Sequence, residues 1–152
     1  MTLRLATNDD AQAIQEHVET ILREFDLKLD FSKSDADLLD IEASYTDNRG
    51  VFLVVHNEAG GLIGTVGLYQ ISDREAMLRK MYVSPEARGL GLGKRLLDEV
   101  LAFAREQGYS SVVLESMHTM HAAIALYERA GFVEDGCPTV SPRCDRKFRL
   151  DL

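Results

Sequence analysis

Residues 88–94 read Arg-Gly-Leu-Gly-Leu-Gly-Lys, and this stretch decides how the rest of the chain is interpreted. It follows an apolar run, Met77 to Val83, and it opens the clearest helical pattern in the sequence, Leu92 to Gln107. Three glycines at alternate positions remove the side chains that would keep a ligand away from the backbone. The first turn of a helix has unpaired N–H groups and a positive dipole end. The stretch therefore predicts a phosphate-binding site, to which Arg88 and Lys94 add positive charge.

The pattern around this stretch predicts a mixed α+β fold. Three runs rich in β-branched or apolar residues, at positions 51–56, 62–71 and 76–83, are separated by short loops and predict neighbouring antiparallel strands. The helix after the glycines leads into the apolar run Val112 to Leu114. Such a crossover predicts a parallel strand pair with a right-handed connection. We expect one domain over residues 1–152.

The remaining parts of the chain complete this pattern. Further elements are expected as a strand at Leu3 to Leu5, a helix ending near Phe25, a helix ending at Arg129, and strands beginning at Phe132 and Lys147. The acidic segment of residues 26–50 is interpreted as an irregular cover with a short helical turn at Leu38 to Ile41. Thr119 or Ser116 is expected to cap the helix that Gly131 closes.

The composition disfavours several classes of partner. Lys and Arg number 17 against 25 Asp and Glu, so the net charge is −8, whereas a nucleic-acid partner would require a basic surface. No apolar run approaches the roughly 20 residues that a membrane-spanning helix needs. No leader precedes the first strand, so a cytoplasmic protein with reduced thiols and no membrane partner is expected. Cys137 and Cys144 are too few for a zinc site, and no metal is predicted.

Three kinds of phosphate-binding loop compete for the glycine stretch. A nucleoside-triphosphate loop, G-x-x-x-x-G-K-[ST], fits at Gly93-Lys94, but Arg88 stands where it requires glycine and Arg95 where it requires a hydroxyl residue. A dinucleotide-binding G-x-G-x-x-G requires a third glycine where Lys94 stands. Glu115 lies near the acidic position of that fingerprint, so a dinucleotide-binding oxidoreductase is kept as an alternative. The antiparallel strands before the loop disfavour it.

The third kind of loop rests on resemblance. Arg88-Gly-Leu-Gly-Leu-Gly93 is similar to the [QR]-x-x-G-x-[GA] signature of GNAT superfamily N-acetyltransferases. Leu78-Arg-Lys-Met-Tyr-Val-Ser-Pro85 resembles the strand that leads into that loop, and Ala123-Ile-Ala-Leu-Tyr-Glu-Arg-Ala-Gly-Phe132 resembles the family's A-x-x-L-Y-x-x-x-G-F segment. The similarity covers nearly the whole chain. It implies a three-layer α/β/α fold with a mixed, mostly antiparallel sheet of six or seven strands and about four helices.

The same resemblance implies an acyltransferase that moves the acetyl group of acetyl-CoA, its co-substrate, to a primary amine. The residues implied to bind the cofactor are Met81, Tyr82, Val83, Arg88, Gly89, Leu90, Gly91, Leu92, Gly93, Lys94 and Met120. Met120 stands where family members often carry an asparagine that contacts the pantetheine arm. Tyr127 matches the tyrosine that protonates the thiolate of coenzyme A, and it is the implied catalytic residue.

The general base and the acceptor stay open. Glu115, Glu75 and His118 are candidate bases that the sequence does not distinguish. The acceptor is a small-molecule or peptide amine, and the acidic segment of residues 26–50 slightly favours a small cationic amine. The resemblance also allows a homodimer. A non-catalytic acyl-CoA-sensing domain is the main alternative to an enzyme, because a phosphate cradle alone does not require turnover.

Overall fold

The computed structural model describes all residues, 1–152, and contains seven strands and four α-helices. The strands are β1 (Thr2–Leu5), β2 (Val51–His56), β3 (Leu62–Gln70), β4 (Glu75–Val83), β5 (Ser111–Ser116), β6 (Val133–Asp135) and β7 (Arg146–Asp151). The α-helices are α1 (Ala11–Arg23), α2 (Ile41–Ser44), α3 (Leu92–Glu106) and α4 (His121–Arg129). Four single turns of 3₁₀ helix lie at Asn8–Asp10, Ala36–Leu39, Thr46–Asn48 and Pro85–Ala87.

All seven strands belong to one sheet, in the order β1-β2-β3-β4-β5-β7-β6. Each neighbouring pair is antiparallel except β4 and β5, which are parallel and are joined through α3. Short loops connect β2, β3 and β4 as the sequence predicted, since consecutive strands with short connections can only run in opposite directions. The predicted α+β class, with a mixed and mostly antiparallel sheet and four helices, is confirmed.

Two apolar cores cover the two faces of the sheet. On one face, α3 buries Leu96, Leu97 and Val100 in a cluster that also contains Val55 of β2. On the other face, α1 packs its apolar side in a cluster that contains the neighbouring residue Val54. Because successive residues of a strand point to opposite faces, the two cores lie on opposite sides of the sheet and the fold has three layers.

The cover segment and the start of α4 differ from the sequence prediction. Residues 26–50 contain α2 and two of the 3₁₀ turns, so the segment is more regular than expected. Thr119 or Ser116 was expected to cap α4, but neither does. Met120 occupies the N-cap position without a side-chain hydrogen bond, and the Ser116 hydroxyl donates instead to the Met120 sulfur at 3.7 Å. The first N–H groups of α4 are therefore left without a side-chain partner.

The longest helix, α3, has 15 residues, and none of the helices has the length and apolar character that crossing a membrane requires.

Candidate active site

The parallel strands β4 and β5 separate halfway along their length. Their pairing runs from Glu75 opposite Ser111 to Leu78 opposite Leu114, and β4 then continues to Val83 without β5 beside it. The edge of β4 that faces β5 is thus open over residues 79–83. The unpaired backbone N–H and C=O groups of such an open edge can form hydrogen bonds with a ligand, as they would with a neighbouring strand.

A bulge in β4 lies where this separation begins. Lys80 has a φ of +54°, and the pairing of β3 with β4 shifts register between Thr65 and Gly67. A left-handed backbone costs a non-glycine residue roughly 1–2 kcal/mol, so the surrounding structure must hold it. One such contact is the Thr65 hydroxyl, which donates to the Lys80 carbonyl at 2.8 Å. Bulges increase local strand twist, which explains why β4 turns away from β5 here.

The glycine stretch forms an open anion site before α3. Gly89 and Gly91 both have a φ of +80°, a conformation that only glycine adopts at low cost. The six consecutive N–H groups from Gly89 to Lys94 donate to no acceptor within the protein. Gly93 serves a different purpose, because a Cβ there would lie 3.2 Å from the Leu126 side chain of α4. The unpaired donors and the helix dipole together suit a phosphate group.

The two cations of this stretch are both engaged, which the sequence did not predict. The Arg88 guanidinium binds the Glu24 carboxylate through two bonds of 2.8 Å and donates to the Val83 carbonyl at 3.0 Å. Arg88 therefore ties the glycine stretch to α1. The Lys94 ammonium donates to Asp98 at 2.6 Å in an exposed pair, so it can exchange that carboxylate for a ligand at little cost.

A cavity of about 660 Å³ lies between the end of β4, the glycine stretch and α4. All the residues that the sequence analysis assigned to the cofactor and to catalysis line it, except Leu90, whose side chain is 69% exposed to solvent. The sequence analysis missed part of the lining, namely Ile21, Phe25, Ala87, Thr119, His121, Ala122, Ala123, Leu126 and Arg129. The helical spacing of Ile21 and Phe25 in the sequence was the available signal.

Tyr127 faces this cavity from α4 with an unbonded hydroxyl. Its side chain is only 5% exposed and packs edge-on against Phe132, with ring centroids 5.9 Å apart. Burial raises the pKa of the Tyr127 phenol strongly, and the nearby Tyr82 and Cys144 raise it further. Tyr45 and Tyr109, by contrast, donate their hydroxyls to Asp37 and to the Arg49 carbonyl. The Tyr127 hydroxyl makes no hydrogen bond within the protein and lies at the cavity wall, so it is an available donor.

His17 of α1 holds the backbone at the end of β4. Its Nε2 lies 3.1 Å from the Tyr82 carbonyl, which can only accept, so Nε2 carries the proton. Burial lowers the pKa of His17, and the bond to Tyr82 and the charge of Glu86 oppose that shift only in part. In the neutral ring, Nδ1 accepts from the Ser84 hydroxyl at 3.4 Å. The sequence analysis did not identify His17.

A second cavity, of about 430 Å³, lies on the other side of the β4 end. Tyr82 lines both cavities, and burial raises the pKa of its phenol to about 12. The wall of the second cavity comes from β4, the cover segment, Glu115 and the loop before β7, and it comprises Lys33, Ser34, Met77, Leu78, Arg79, Lys80, Val140, Ser141, Pro142, Arg143 and Cys144. Two cavities that meet at one strand end can hold two reactants.

Buried ion pairs form the base of this second cavity. The Lys80 ammonium, 5% exposed, lies 3.3 Å from Asp35 and 3.2 Å from Asp37. Arg143 binds Asp35 at 2.8 Å, and Arg79 and Lys80 both donate to the Ser34 carbonyl at 2.8 Å. Burial alone would raise the pKa of Asp35, but its bonds with Arg143 and the Asp30 N–H and its attraction to Lys80 lower it overall. Two carboxylates of the cover segment, Asp35 and Asp37, are thus engaged in ion pairs inside the protein.

The three candidate bases occupy different places. Glu115 lines the second cavity, where its carboxylate accepts from the N–H groups of Val140 and Ser141 at 2.7 and 2.9 Å. Glu75 is at the start of β4, bonded to Arg149 and Ser111, and lines neither cavity. His118 is an exposed partner of Asp145, also outside both cavities. Glu115 alone therefore faces a space that an acceptor can enter.

Known proteins resemble this chain in both sequence and fold. The acetyltransferase (GNAT) family model matches residues 14–132. An N-acetyltransferase of Schizosaccharomyces pombe, described as uncharacterized, is 34% identical over 116 residues, which are 76% of this chain and 71% of that protein. Probable N-acetyltransferase family 8 member 5 of Mus musculus is 42% identical over 66% of this chain. The chain matches only 46% of the mouse protein's length.

Solved structures of acetyltransferases have the same fold. An acetyltransferase of the GNAT family from Staphylococcus aureus superposes with a TM-score of 0.92 at 25% identity, over 99% of this chain and 98% of that one. A phosphinothricin acetyltransferase from Sinorhizobium meliloti, solved in complex with AcCoA, superposes with a TM-score of 0.77 at 24% identity, over 99% and 88% of the two chains, and shows the fold alone. These matches establish that the chain belongs to the GNAT family of N-acetyltransferases and is an acyltransferase.

Proposed function

We propose that residues 1–152 form a single N-acetyltransferase domain that moves the acetyl group of acetyl-CoA to an amine. The observation that carries this proposal is the shared cavity. The glycine stretch with its unpaired N–H groups at residues 89 and 91–94, the open edge of β4, and Tyr127 with its free hydroxyl all line one space of about 660 Å³. A phosphate site, a strand edge and a proton donor in that order match the successive parts of acetyl-CoA.

In this proposal the N–H groups of residues 89–94 bind the pyrophosphate. The pantetheine arm lies along the open edge of β4 at Met81 to Val83, where it takes the place of the missing strand partner. Met120 also lines this cavity. It offers an apolar thioether where an asparagine would offer an amide, so its contact with the arm is by packing.

The acceptor then attacks from the second cavity. The neutral amine nitrogen forms a bond with the thioester carbonyl carbon, and the carbon–sulfur bond breaks as the tetrahedral intermediate collapses. The attacking nitrogen loses one proton to solvent or to a carboxylate such as Glu115. A backbone N–H of the β4 end donates to the developing oxyanion. The departing thiolate takes a proton from Tyr127, which solvent later restores.

The raised pKa of Tyr127 is compatible with a role as the acid. A tyrosine in water has a pKa near 10 and a thiol one near 8.5, so proton transfer from phenol to thiolate is unfavourable there. Burial raises the pKa of the Tyr127 phenol. By the same physics it would raise the pKa of a thiol in this cavity, because burial disfavours either anion. A thiolate expelled into the same apolar cavity is therefore a stronger base than in water. Tyr127 also stays protonated at neutral pH.

Replacing Tyr127 by phenylalanine tests this role. We expect Tyr127→Phe to lower kcat by about 10²-fold or more, the usual contribution of a positioned acid, with little change in the affinity for acetyl-CoA. The measurement is release of free thiol from acetyl-CoA with a panel of amines, together with calorimetric binding of CoA. Tyr109→Phe removes a buried hydroxyl remote from the cavity and serves as the control. An unaltered kcat of Tyr127→Phe across pH would reject the assignment.

The same assay separates the alternatives. Binding of acetyl-CoA without thiol release on any amine would favour an acyl-CoA-sensing domain. Tight binding of NAD without binding of CoA would favour the dinucleotide-binding interpretation. Thiol release that depends on the amine supports acetyl transfer.

A further inference from the structure

We infer that the amine accepted in the second cavity also carries a carboxylate, as an amino acid does. This inference rests on the proposed acetyl transfer and concerns the substrate class of that site. Its basis is the sign of the charges around the cavity. Four cationic side chains line it, Lys33, Arg79, Lys80 and Arg143, against the single carboxylate of Glu115. The whole chain has a net charge of −8, so a cationic cavity is contrary to the general composition.

The carboxylates that balance these cations lie behind the cavity wall. Asp35 is fully buried and Asp37 is 6% exposed, and neither lines the cavity. They pair chiefly with Lys80 and with Arg143. A ligand in the cavity therefore meets the cationic side of this network, whereas the anionic side is covered. This arrangement removes the basis for expecting a cationic amine, since that expectation came from the acids of residues 26–50.

Two of the four cations have hydrogen-bonding capacity to spare. The ammonium of Lys33 is exposed at the cavity and takes part in no hydrogen bond or ion pair. The guanidinium of Arg79, whose side chain is 25% exposed, makes one hydrogen bond, to the Ser34 carbonyl, and lies 3.8 Å from Asp37. Its remaining N–H groups have no acceptor. An arginine fork with a neighbouring lysine is well suited to a carboxylate.

Glu115 supplies the complementary group for the amine. Its two oxygens are held by the N–H groups of Val140 and Ser141, which fixes the carboxylate while leaving further lone pairs for a ligand. A molecule with one amine and one carboxylate matches a cavity with one fixed carboxylate and spare cationic donors. The volume of about 430 Å³ suits a small molecule.

The experiment compares each acceptor with its own carboxamide. Phenylalanine, methionine and glutamate are assayed beside their α-carboxamides, with phenethylamine and spermidine as amines that lack a carboxylate. An amide has the less basic amino group and so more neutral amine at pH 7, which would favour it if the carboxylate were not recognised. We expect kcat/KM to be tenfold or more higher for at least one acid than for its amide. We also expect this ratio to fall as salt is raised.

Variants at Lys33 identify the cause of that preference. Lys33→Gln is expected to lower the acid-to-amide ratio about threefold or more, and Lys33→Arg, which keeps the charge, is expected to retain it. Lys28→Gln is the matched control, because Lys28 is an exposed cation of the same segment outside the cavity. The melting temperatures of all the variants are measured as well, so that a folding defect can be excluded as the cause of a changed acid-to-amide ratio.

The outcomes for the inference and for the proposed function are distinct. Equal turnover of acids and amides, or turnover only of phenethylamine or spermidine, overturns the inference and leaves acetyl transfer intact. Absence of thiol release with every amine instead contradicts the proposed function. In that case calorimetric binding of N-acetylphenylalanine and of its amide to the CoA-loaded protein decides the inference. Tighter binding of the acid supports it, and equal binding overturns it.

Discussion

Lys80 combines an unusual backbone conformation with a buried charge. Its φ of +54° lies at the bulge in β4, and its buried ammonium pairs with both Asp35 and Asp37. Asp37 Oδ1 accepts no hydrogen bond, so its stabilisation comes from Lys80 at 3.2 Å and Arg79 at 3.8 Å. The direction in which β4 leaves β5 thus depends on an ion pair with the cover segment.

Removing this ammonium should be costly. Lys80→Met leaves two buried carboxylates without their shared cation, and breaking a buried pair in this way typically costs about 3–5 kcal/mol. The free energy of unfolding, measured by urea denaturation, is expected to fall by that amount. Adding Asp37→Asn should recover part of it. Arg23→Met, which breaks an exposed pair with Glu19, is the control and should change stability little. A small loss for Lys80→Met would show that the network is not a main stabilising feature.

His17 should make stability depend on pH. Burial holds its pKa in the folded protein below the unfolded value of about 6.5, so the unfolded chain binds more protons as the pH falls through this range. Stability is then full above about pH 6.5 and is lost as the pH decreases towards the folded pKa. His17→Gln keeps an amide donor for the Tyr82 carbonyl but does not titrate. We expect a flatter dependence of melting temperature on pH between 7 and 5 than in His56→Gln, the control at the end of β2. Equal slopes would contradict this role.

At the scale of elements, the glycine stretch is the part that sequence predicted best. Alternating glycines before an amphipathic helix have few structural solutions, so the position of α3 and the free N–H groups followed from the residues alone. The bulge at Lys80 did not, because the sequence of β4 continues as an apolar strand through it. The ion pair of Arg88 could not be predicted either. Its partner Glu24 is 64 positions away, and no local pattern reveals such a contact.

Replacing a glycine of this loop should weaken CoA binding beyond its effect on stability. Gly91→Ala forces a side chain into a φ of +80°, with open space around the added Cβ, so the cost is backbone strain of roughly 1–2 kcal/mol. Gly60→Ala in the β2–β3 loop meets the same conditions at a φ of +87° and is a matched control. Both should lose similar stability. Only Gly91→Ala should weaken CoA, by tenfold or more in calorimetry, because relaxing the strain turns N–H groups away from the phosphates. Equal CoA affinities would show that this loop does not bind the phosphates.

At the scale of the whole molecule, the charge at the second cavity is opposite in sign to the net charge of the chain. The chain as a whole has a net charge of −8, whereas four of the five charged side chains that line the second cavity are cationic. Composition could not reveal this, because Asp35 and Arg143 are 108 positions apart and pair only once the sheet has formed. The homodimer and the cytoplasmic location stay predictions. Fold class and family followed from motifs along the chain, but the acceptor side depends on contacts between distant segments.

Binding of CoA should stabilise the folded chain against heat. A ligand that binds only the folded chain stabilises it by about 2.7 kcal/mol at a concentration 100 times its Kd. For a domain of this size that corresponds to a rise in melting temperature of about 5–10 °C. We expect CoA to produce such a shift, and NAD at the same concentration to produce none, since Lys94 stands where a dinucleotide fingerprint requires glycine. Gly91→Ala should reduce the CoA shift, while Gly60→Ala should keep it. If NAD stabilised the protein as much as CoA, the cavity would be a general nucleotide site. The order of phosphate cradle, strand edge and tyrosine would then no longer support acetyl transfer.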